Sequence, residues 1–324
     1  MKKVLRNTLT AAIIALSATV ASAQEKVTYL FPAPDFLPAF APFQLALHKG
    51  YFDAAGLDVE FRVGKGGADV ATQVAVGNAD LGGGIGDTPI IVRANGLEVR
   101  GVALLGGRSL TQLAWRDDSG ITGPADLAGK SIGVMSFQDT TYYNLLGILA
   151  SQGLSKSDVD IQAVGPGGII QLTIAGNLDA FSGVPEWIGA VKGAGVELSH
   201  TSIDTIFPAM AQAIIASDKT IAERPEIVEA FVGAVLQAVR DINADPATSA
   251  AEYTSFVPQH AGKEAQIEAT MRAYSALVYA EGENQPLGTF DPARLTEVQT
   301  FYVENDIVRE AIPVDQLYTN EFIK

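Results

Sequence analysis

The 324-residue chain contains no cysteine, which excludes disulfides, Cys-ligated zinc, iron–sulfur clusters, thiol nucleophiles and a lipid-modified N-terminal cysteine. Basic residues are sparse. The 22 Lys and Arg stand against 37 Asp and Glu, a formal charge of −15, so nucleic acid and anionic lipid surfaces are poor partners. Histidine is limited to His48, His200 and His260, scattered along the chain. Enzyme signatures are missing too: there is no G-x-S-x-G, no H-E-x-x-H and no complete G-x-G-x-x-G. Gly123 to Ser131 resembles a phosphate loop, but it has five residues between its glycines instead of four and precedes a strand instead of following one. The D-x-D-x-D-G spacing of a calcium loop is absent as well. No metal, cofactor or catalytic residue is expected. What is present is 48% hydrophobic residues and 32 glycines, enough for two packed lobes.

Long apolar runs are lacking except at the N-terminus. Lys2, Lys3 and Arg6 precede an apolar stretch from Leu9 to Val20, and Ala21-Ser22-Ala23 supplies the small-x-small pattern of a signal peptidase site. The run falls short of the roughly 20 residues needed to cross hydrocarbon. Residues 1–23 therefore read as a cleaved signal peptide, cut after Ala23, with the product free in the periplasm. Losing three positive charges takes the formal charge from −15 to −18.

From Lys26 the order is strand (Val27 to Phe31), Pro-rich loop, helix (Phe43 to Lys49) and strand (Leu57 to Val63). The same order returns as a strand at Ser131 to Met135, a helix from Thr140 to Gln152 and a strand at Val159 to Val164. Gly77-Asn-Ala-Asp80 reappears 99 residues later as Gly176-Asn-Leu-Asp179. The chain reads as a duplication of a βαβαβ unit, giving two α/β lobes. Val70, Val74 and Val76, and in the second copy Ile170 and Ile174, are expected on the inner faces of short helices. Thr111 to Arg116 and Ala209 to Ser217 are the expected inter-lobe crossings. Helices from Pro225 to Asn243, Lys263 to Tyr279 and Arg294 to Asn305 form a tail expected to complete the first lobe.

Ligands of open α/β sheets collect at the carboxyl ends of the strands, and the duplication pairs the loops found there. Each carries an acid: Asp35 matches Asp139, 104 residues on, and Asp87 matches Glu186, 99 residues on. Four carboxylates at the mouths of facing lobes favour an ammonium, amidine or multi-NH ligand, because a buried unpaired carboxylate is costly. Of the neighbouring aromatics, Phe137 and Trp187 fall within the matched loops and can stack on a flat ring. Two alternatives stay open: Asp87 and Asp139 also suit helix N-caps, and the Gly82 to Gly86 and Gly165 to Gly168 runs can offer backbone N–H groups to an anion. The bases Lys49, Arg62, Lys65, Arg93, Arg108 and Arg116 all lie outside the four loops.

The segment Ala46-Leu-His-Lys-Gly-Tyr-Phe-Asp-Ala-Ala-Gly-Leu-Asp-Val-Glu60, with Gly77-Asn-Ala-Asp80, Gly86-Asp-Thr-Pro89, Asp126-Leu-Ala-Gly-Lys130 and Leu178-Asp-Ala-Phe181, resembles solute-binding proteins of ABC importers in the nitrate, taurine, alkanesulfonate and thiamine-precursor group. The resemblance covers nearly the whole mature chain. It implies an α/β, two-lobed periplasmic binding protein fold of type II, each lobe a mixed, mostly parallel sheet flanked by helices, with the ligand cleft between lobes. Residues 24–112 with 213–324 would form one lobe and 113–212 the other. The implied partners are a small-molecule ligand, an ABC permease and its cytoplasmic ATPase; the membrane is met only through the permease, and a monomer is expected. Carried over by position, the ligand contacts are Asp35, Phe36, Asp87, Thr88, Ser136, Phe137, Gln138, Asp139, Thr140, Glu186 and Trp187. Acids where a sulfonate or nitrate binder would place Arg or Lys favour an amine-bearing or neutral heteroaromatic ligand, such as a thiamine pyrimidine precursor. Pyrimidine synthases share the implied fold, but their Cys-rich signature cannot occur in this chain. A sensor that presents its ligand to a receptor is the third reading.

Overall fold

The computed structural model describes residues 24–282 and 285–324; the segment read as a signal peptide, with its expected cleavage site, lies outside the described residues. The first lobe opens with β1 (Glu25–Phe31), α1 (Ala41–His48), α2 (Tyr51–Ala54), β2 (Leu57–Val63), α3 (Gly67–Ala75), β3 (Leu81–Ile85), α4 (Thr88–Arg93) and β4 (Val99–Leu104). The second consists of β5 (Gln112–Arg116), β6 (Ser131–Val134), α5 (Thr140–Ser151), β7 (Asp160–Ala163), α6 (Gly165–Ile174), β8 (Ala180–Gly183), α7 (Pro185–Gly193) and β9 (Leu198–Ser202). β10 (Gln212–Ser217) then returns to the first lobe.

The duplication is visible in the sheets. One has the order β2-β1-β3-β10-β4 and the other β7-β6-β8-β5-β9, so the strands correspond one for one. β1 runs parallel to β2 and β3, as β6 does to β7 and β8. The fourth strand of each sheet, β10 or β5, is antiparallel to both neighbours. The segments expected to be crossings are thus sheet strands: Gln112–Arg116 is β5, and Gln212–Ser217 is β10. The chain crosses instead just before each, through residues 105–111 and 203–211. Arg294 ties both crossings together by donating to the carbonyls of Gly107 (2.9 Å), Pro208 (3.2 Å) and Ala209.

Packing follows the apolar pattern. Tyr29 of β1 stacks on Phe231 with ring centroids 5.0 Å apart and meets Phe31 edge-on at 4.8 Å. On α3, Val70 and Val74 are fully buried, but Val76 is 63% exposed, because it falls past the last turn. On α6 the fully buried residues are Ile169 and Thr173, while Ile170 and Ile174 are half-buried and pack against the edge of the second core. Ile169 and Thr173 are the positions 99 residues beyond Val70 and Val74. Thr173 tolerates burial because its hydroxyl donates to the Ile169 carbonyl one turn back, at 2.7 Å.

The tail comprises α8 (Asp218–Glu223), α9 (Pro225–Ala244), α10 (Pro246–Phe256), α11 (Glu264–Leu277) and α12 (Pro292–Glu304). Pro225 starts α9 where its missing N–H costs nothing, and α9 packs on α1 and α2. The tail does more than complete the first lobe, since α11 also rests against α7 of the second. No helix among the described residues is long and apolar enough to cross a membrane.

Candidate functional site

A narrow cleft with a cavity volume of about 50 Å³ lies between the sheets at the carboxyl ends of the parallel strands. Pro32, Ala33, Leu37, Ala39 and Phe40 line it from the loop after β1, and Gly84 and Ile85 from β3. The second lobe contributes Met135, Asp139, Thr140 and Thr141 after β6, and Val184, Glu186 and Trp187 after β8. Leu110, Thr111 and Gln212 line it from the crossing region. The wall is mostly apolar, and no Lys or Arg lies on it.

Glu186 is the second residue of α7, after Pro185 at the helix start, and lies on the cleft wall. It is only 8% exposed. One carboxyl oxygen accepts the hydroxyl of Tyr274 from α11, while Oε1 has no partner among the described residues. Burial pushes its pKa up to about 7, so near neutral pH the group is poised between acid and carboxylate. Trp187 beside it is buried, with Nε1 unpartnered. A Cβ at Gly183 would lie 2.5 Å from the indole ring, so glycine there makes room for Trp187.

Asp139 lines the cleft but spends its oxygens elsewhere. Its Oδ1 accepts the Thr141 amide at 2.8 Å and caps α5, and Oδ2 accepts the Gly67 amide of the opposite lobe at 3.4 Å. Burial raises its pKa as well. Thr140 stands next to it on the wall.

Asp87 and Thr88 sit behind the wall, not on it. Asp87 is fully buried and accepts three hydrogen bonds, from the Tyr302 hydroxyl (2.8 Å), Asn144 Nδ2 (3.1 Å) and the Met210 amide (3.1 Å). It does not cap α4 with its side chain; its oxygens are taken by donors from distant parts of the chain. Thr88 is fully buried too, its hydroxyl oxygen accepting the Ile85 amide at 3.0 Å. Asp35 and Phe36 are likewise off the cleft wall. The Asp35 carbonyl accepts from Gln44 (3.2 Å), and the Phe36 carbonyl meets Tyr253 (2.6 Å) and His260 (2.7 Å). The Phe36 side chain borders an adjoining groove with Trp187 and Lys263.

Ser136 and Gln138 join the lobes at the rim. Ser136 Oγ donates to the Lys65 carbonyl at 3.0 Å, and the Gln138 carbonyl accepts the Ala68 amide at 3.1 Å. Phe137 is 49% exposed and packs edge-on against Tyr142 at 5.2 Å. Of the eleven candidates, Asp139, Thr140, Glu186 and Trp187 meet in the cleft. Sequence reasoning missed Gln212, an uncharged residue outside the matched loops. Among the described residues, no group of three or more His, Asp or Glu is placed to hold a metal ion.

The chain is similar to several known proteins. The riboflavin-binding protein RibY of Chloroflexus aurantiacus is 26% identical over 322 residues, covering 95% of this chain and 89% of that protein. The taurine-binding periplasmic protein of Escherichia coli is 28% identical over 244 residues, 74% of this chain and 73% of that protein. Enzymes also appear among the relatives. The 4-amino-5-hydroxymethyl-2-methylpyrimidine phosphate synthase THI13 of Saccharomyces cerevisiae is 27% identical over 257 residues, 72% of each. Among solved structures, the alkanesulfonate-binding protein SsuA of Xanthomonas axonopodis pv. citri, bound to MOPS, superposes with a TM-score of 0.70 at 18% identity, covering 92% of this chain and 99% of that one. That likeness shows the two-lobed periplasmic binding protein fold. The NMT1/THI5-like family model matches residues 37–249, well over half of the sequence, and the chain therefore belongs to the NMT1/THI5-like family.

Proposed function

We propose that this protein is the periplasmic solute-binding component of an ABC importer. It captures a small amine-bearing or heteroaromatic molecule, of the thiamine-pyrimidine-precursor kind, by closing its lobes, and delivers it to a permease with a cytoplasmic ATPase. The moving units are residues 24–104 with 212–324 and residues 112–202, joined by the crossings at 105–111 and 203–211. Closure, not bond making, is the mechanism: the ligand shifts the population toward the closed form by binding it better. Relatives that bind riboflavin and taurine support the general role.

One observation carries the ligand class. Glu186, whose Oε1 has no hydrogen-bond partner among the described residues, lines an apolar cleft that has no Lys or Arg on its wall, so an oxyanion would meet its carboxylate without a balancing cation. A flat ring with an N–H or amino group would complete the carboxyl and fit the rest of the wall. The test is a thermal-shift and calorimetric screen of residues 24–324 against aminopyrimidines, riboflavin, polyamines, taurine, alkanesulfonates and nitrate. A true ligand at a hundred times Kd stabilises by about 2.7 kcal/mol. Glu186→Gln is expected to weaken an amine ligand more than about tenfold and an anion little. Stabilisation by simple oxyanions alone would overturn the ligand class. Chemical conversion of a bound pyrimidine, followed by mass spectrometry, would place the chain functionally with the synthases instead.

A further inference from the structure

We propose that Gln212 is the specificity-determining residue of the cleft, its side-chain amide pairing with a planar heterocycle through an edge that carries a hydrogen-bond donor beside an acceptor. Lactams, imides and 4-aminopyrimidines present such an edge. This rests on the solute-binding reading above and narrows its ligand class.

Gln212 is the first residue of β10, is 1% exposed and lines the cleft. Neither Oε1 nor Nε2 of its side chain has a partner among the described residues. Its backbone is committed to the fold: the carbonyl accepts the Leu105 amide at 2.7 Å, and the residue pairs with Ile85 of β3. The side chain is therefore free of any duty in the sheet.

The duplication supplies an internal control. Gln112 occupies the equivalent place, first in β5 of the other sheet, and is just as buried. Its Nε2 approaches the Ser109 carbonyl at 3.5 Å and Ser202 Oγ at 3.3 Å. Gln299 shows what a satisfied buried amide looks like. Its Nε2 donates to the Ile312 carbonyl and its Oε1 accepts the Ile312 amide, both at 2.8 Å. In Gln212, on the cleft wall, the same pair of atoms has no partner among the described residues.

Complementarity then sorts the candidates. Nitrate or a sulfonate, carrying only acceptors, would leave Oε1 unpaired, and an ammonium, carrying only donors, would leave Nε2 unpaired. A ring edge with both satisfies both. A site with buried polar groups to satisfy rejects analogues that lack the matching group far more strongly than an apolar wall rejects a missing methylene.

The experiment is calorimetric titration of residues 24–324 with two matched pairs: 4-amino-2-methylpyrimidine against its 4-dimethylamino counterpart, and lumichrome against N3-methyl-lumichrome. Taurine, ethanesulfonate and nitrate run alongside. At least one edge-bearing member is expected to bind, with its blocked counterpart at least about tenfold weaker. Gln212→Met, which keeps the length and removes the amide, is expected to shrink that gap to less than about threefold. Because no hydrogen bond within the protein is lost, its ligand-free Tm should stay within about 2 °C. Equal affinity for both members of a pair in the wild type overturns the role of Gln212 while leaving solute binding intact, and needs no variant to read. A gap that survives Gln212→Met, or a large fall in the ligand-free Tm, overturns it as well. If the anions bind and no heterocycle does, the ligand class falls with it; if nothing in the panel binds, the solute-binding reading falls too.

Discussion

Burial raises the pKa of Glu186, and this has a sign that can be measured. Its pKa rises from an ordinary 4.5 to about 7 in the fold, so the folded protein keeps a proton that the unfolded chain has released. Stability from this group is complete below pH 4.5, declines as pH rises toward 7 and is flat above. At about 1.4 kcal/mol per pH unit, the full loss is roughly 3 kcal/mol. Glu186→Gln should therefore gain on the wild type between pH 5 and pH 8 by up to about that amount, measured by urea unfolding at each pH. A constant difference between the two proteins would mean that Glu186 is ionised in the fold. Glu186 and Trp187 were legible in the sequence because the repeat assigns them a loop. Gln212 was not, since its importance lies in the partners it does not have. Nor was the environment of Asp87, whose donors Asn144 and Tyr302 are 57 and 215 residues away.

At the scale of elements, the starts of α3 and α5 meet across the cleft. Gly66 has φ +121°, and a Cβ there would lie 2.8 Å from the Gln138 carbonyl oxygen and 2.9 Å from the Asp139 Cα. Backbone lies against backbone at this point, and only glycine permits it. Gly66→Val should hold the lobes apart, weakening ligand binding about tenfold or more because the competent closed form is less populated. Small-angle scattering with saturating ligand should then give a larger radius of gyration than the wild type; equal radii and affinity would show that the contact does not limit closure. Most elements were legible because their apolar pattern is local: α9, read as ending at Asn243, ends at Ala244. α10 was not anticipated, because Pro246–Phe256 has no strong apolar stripe. The Asp245 side chain caps it through the Thr248 amide at 3.1 Å, and buried Tyr253 anchors it. β5 and β10 passed for connectors because their partners lie far away in sequence.

Over the whole molecule, the two halves share one strand order, and Arg294 fastens the paired crossings from the far end of the chain. The duplication was readable from spacing, whereas the insertion of β10 between β3 and β4 was not, since neither strand signals a neighbour more than 100 residues away. That insertion sets an order of assembly. All five strands of the second sheet lie between Gln112 and Ser202, so that sheet has every partner it needs within one stretch. β10 is the one named strand that pairs with β4, and the remaining bridges of β4, from Gly101 to Tyr318 and from Leu104 to Gly288, come later still, so until residues 212–217 arrive it has nothing to join. Pulse-labelled hydrogen exchange during refolding should protect β5 to β9 before β4, and the reverse order would contradict this. A chain emerging from a ribosome would carry an unfinished first lobe, its β4 edge unjoined, until the second had been completely made.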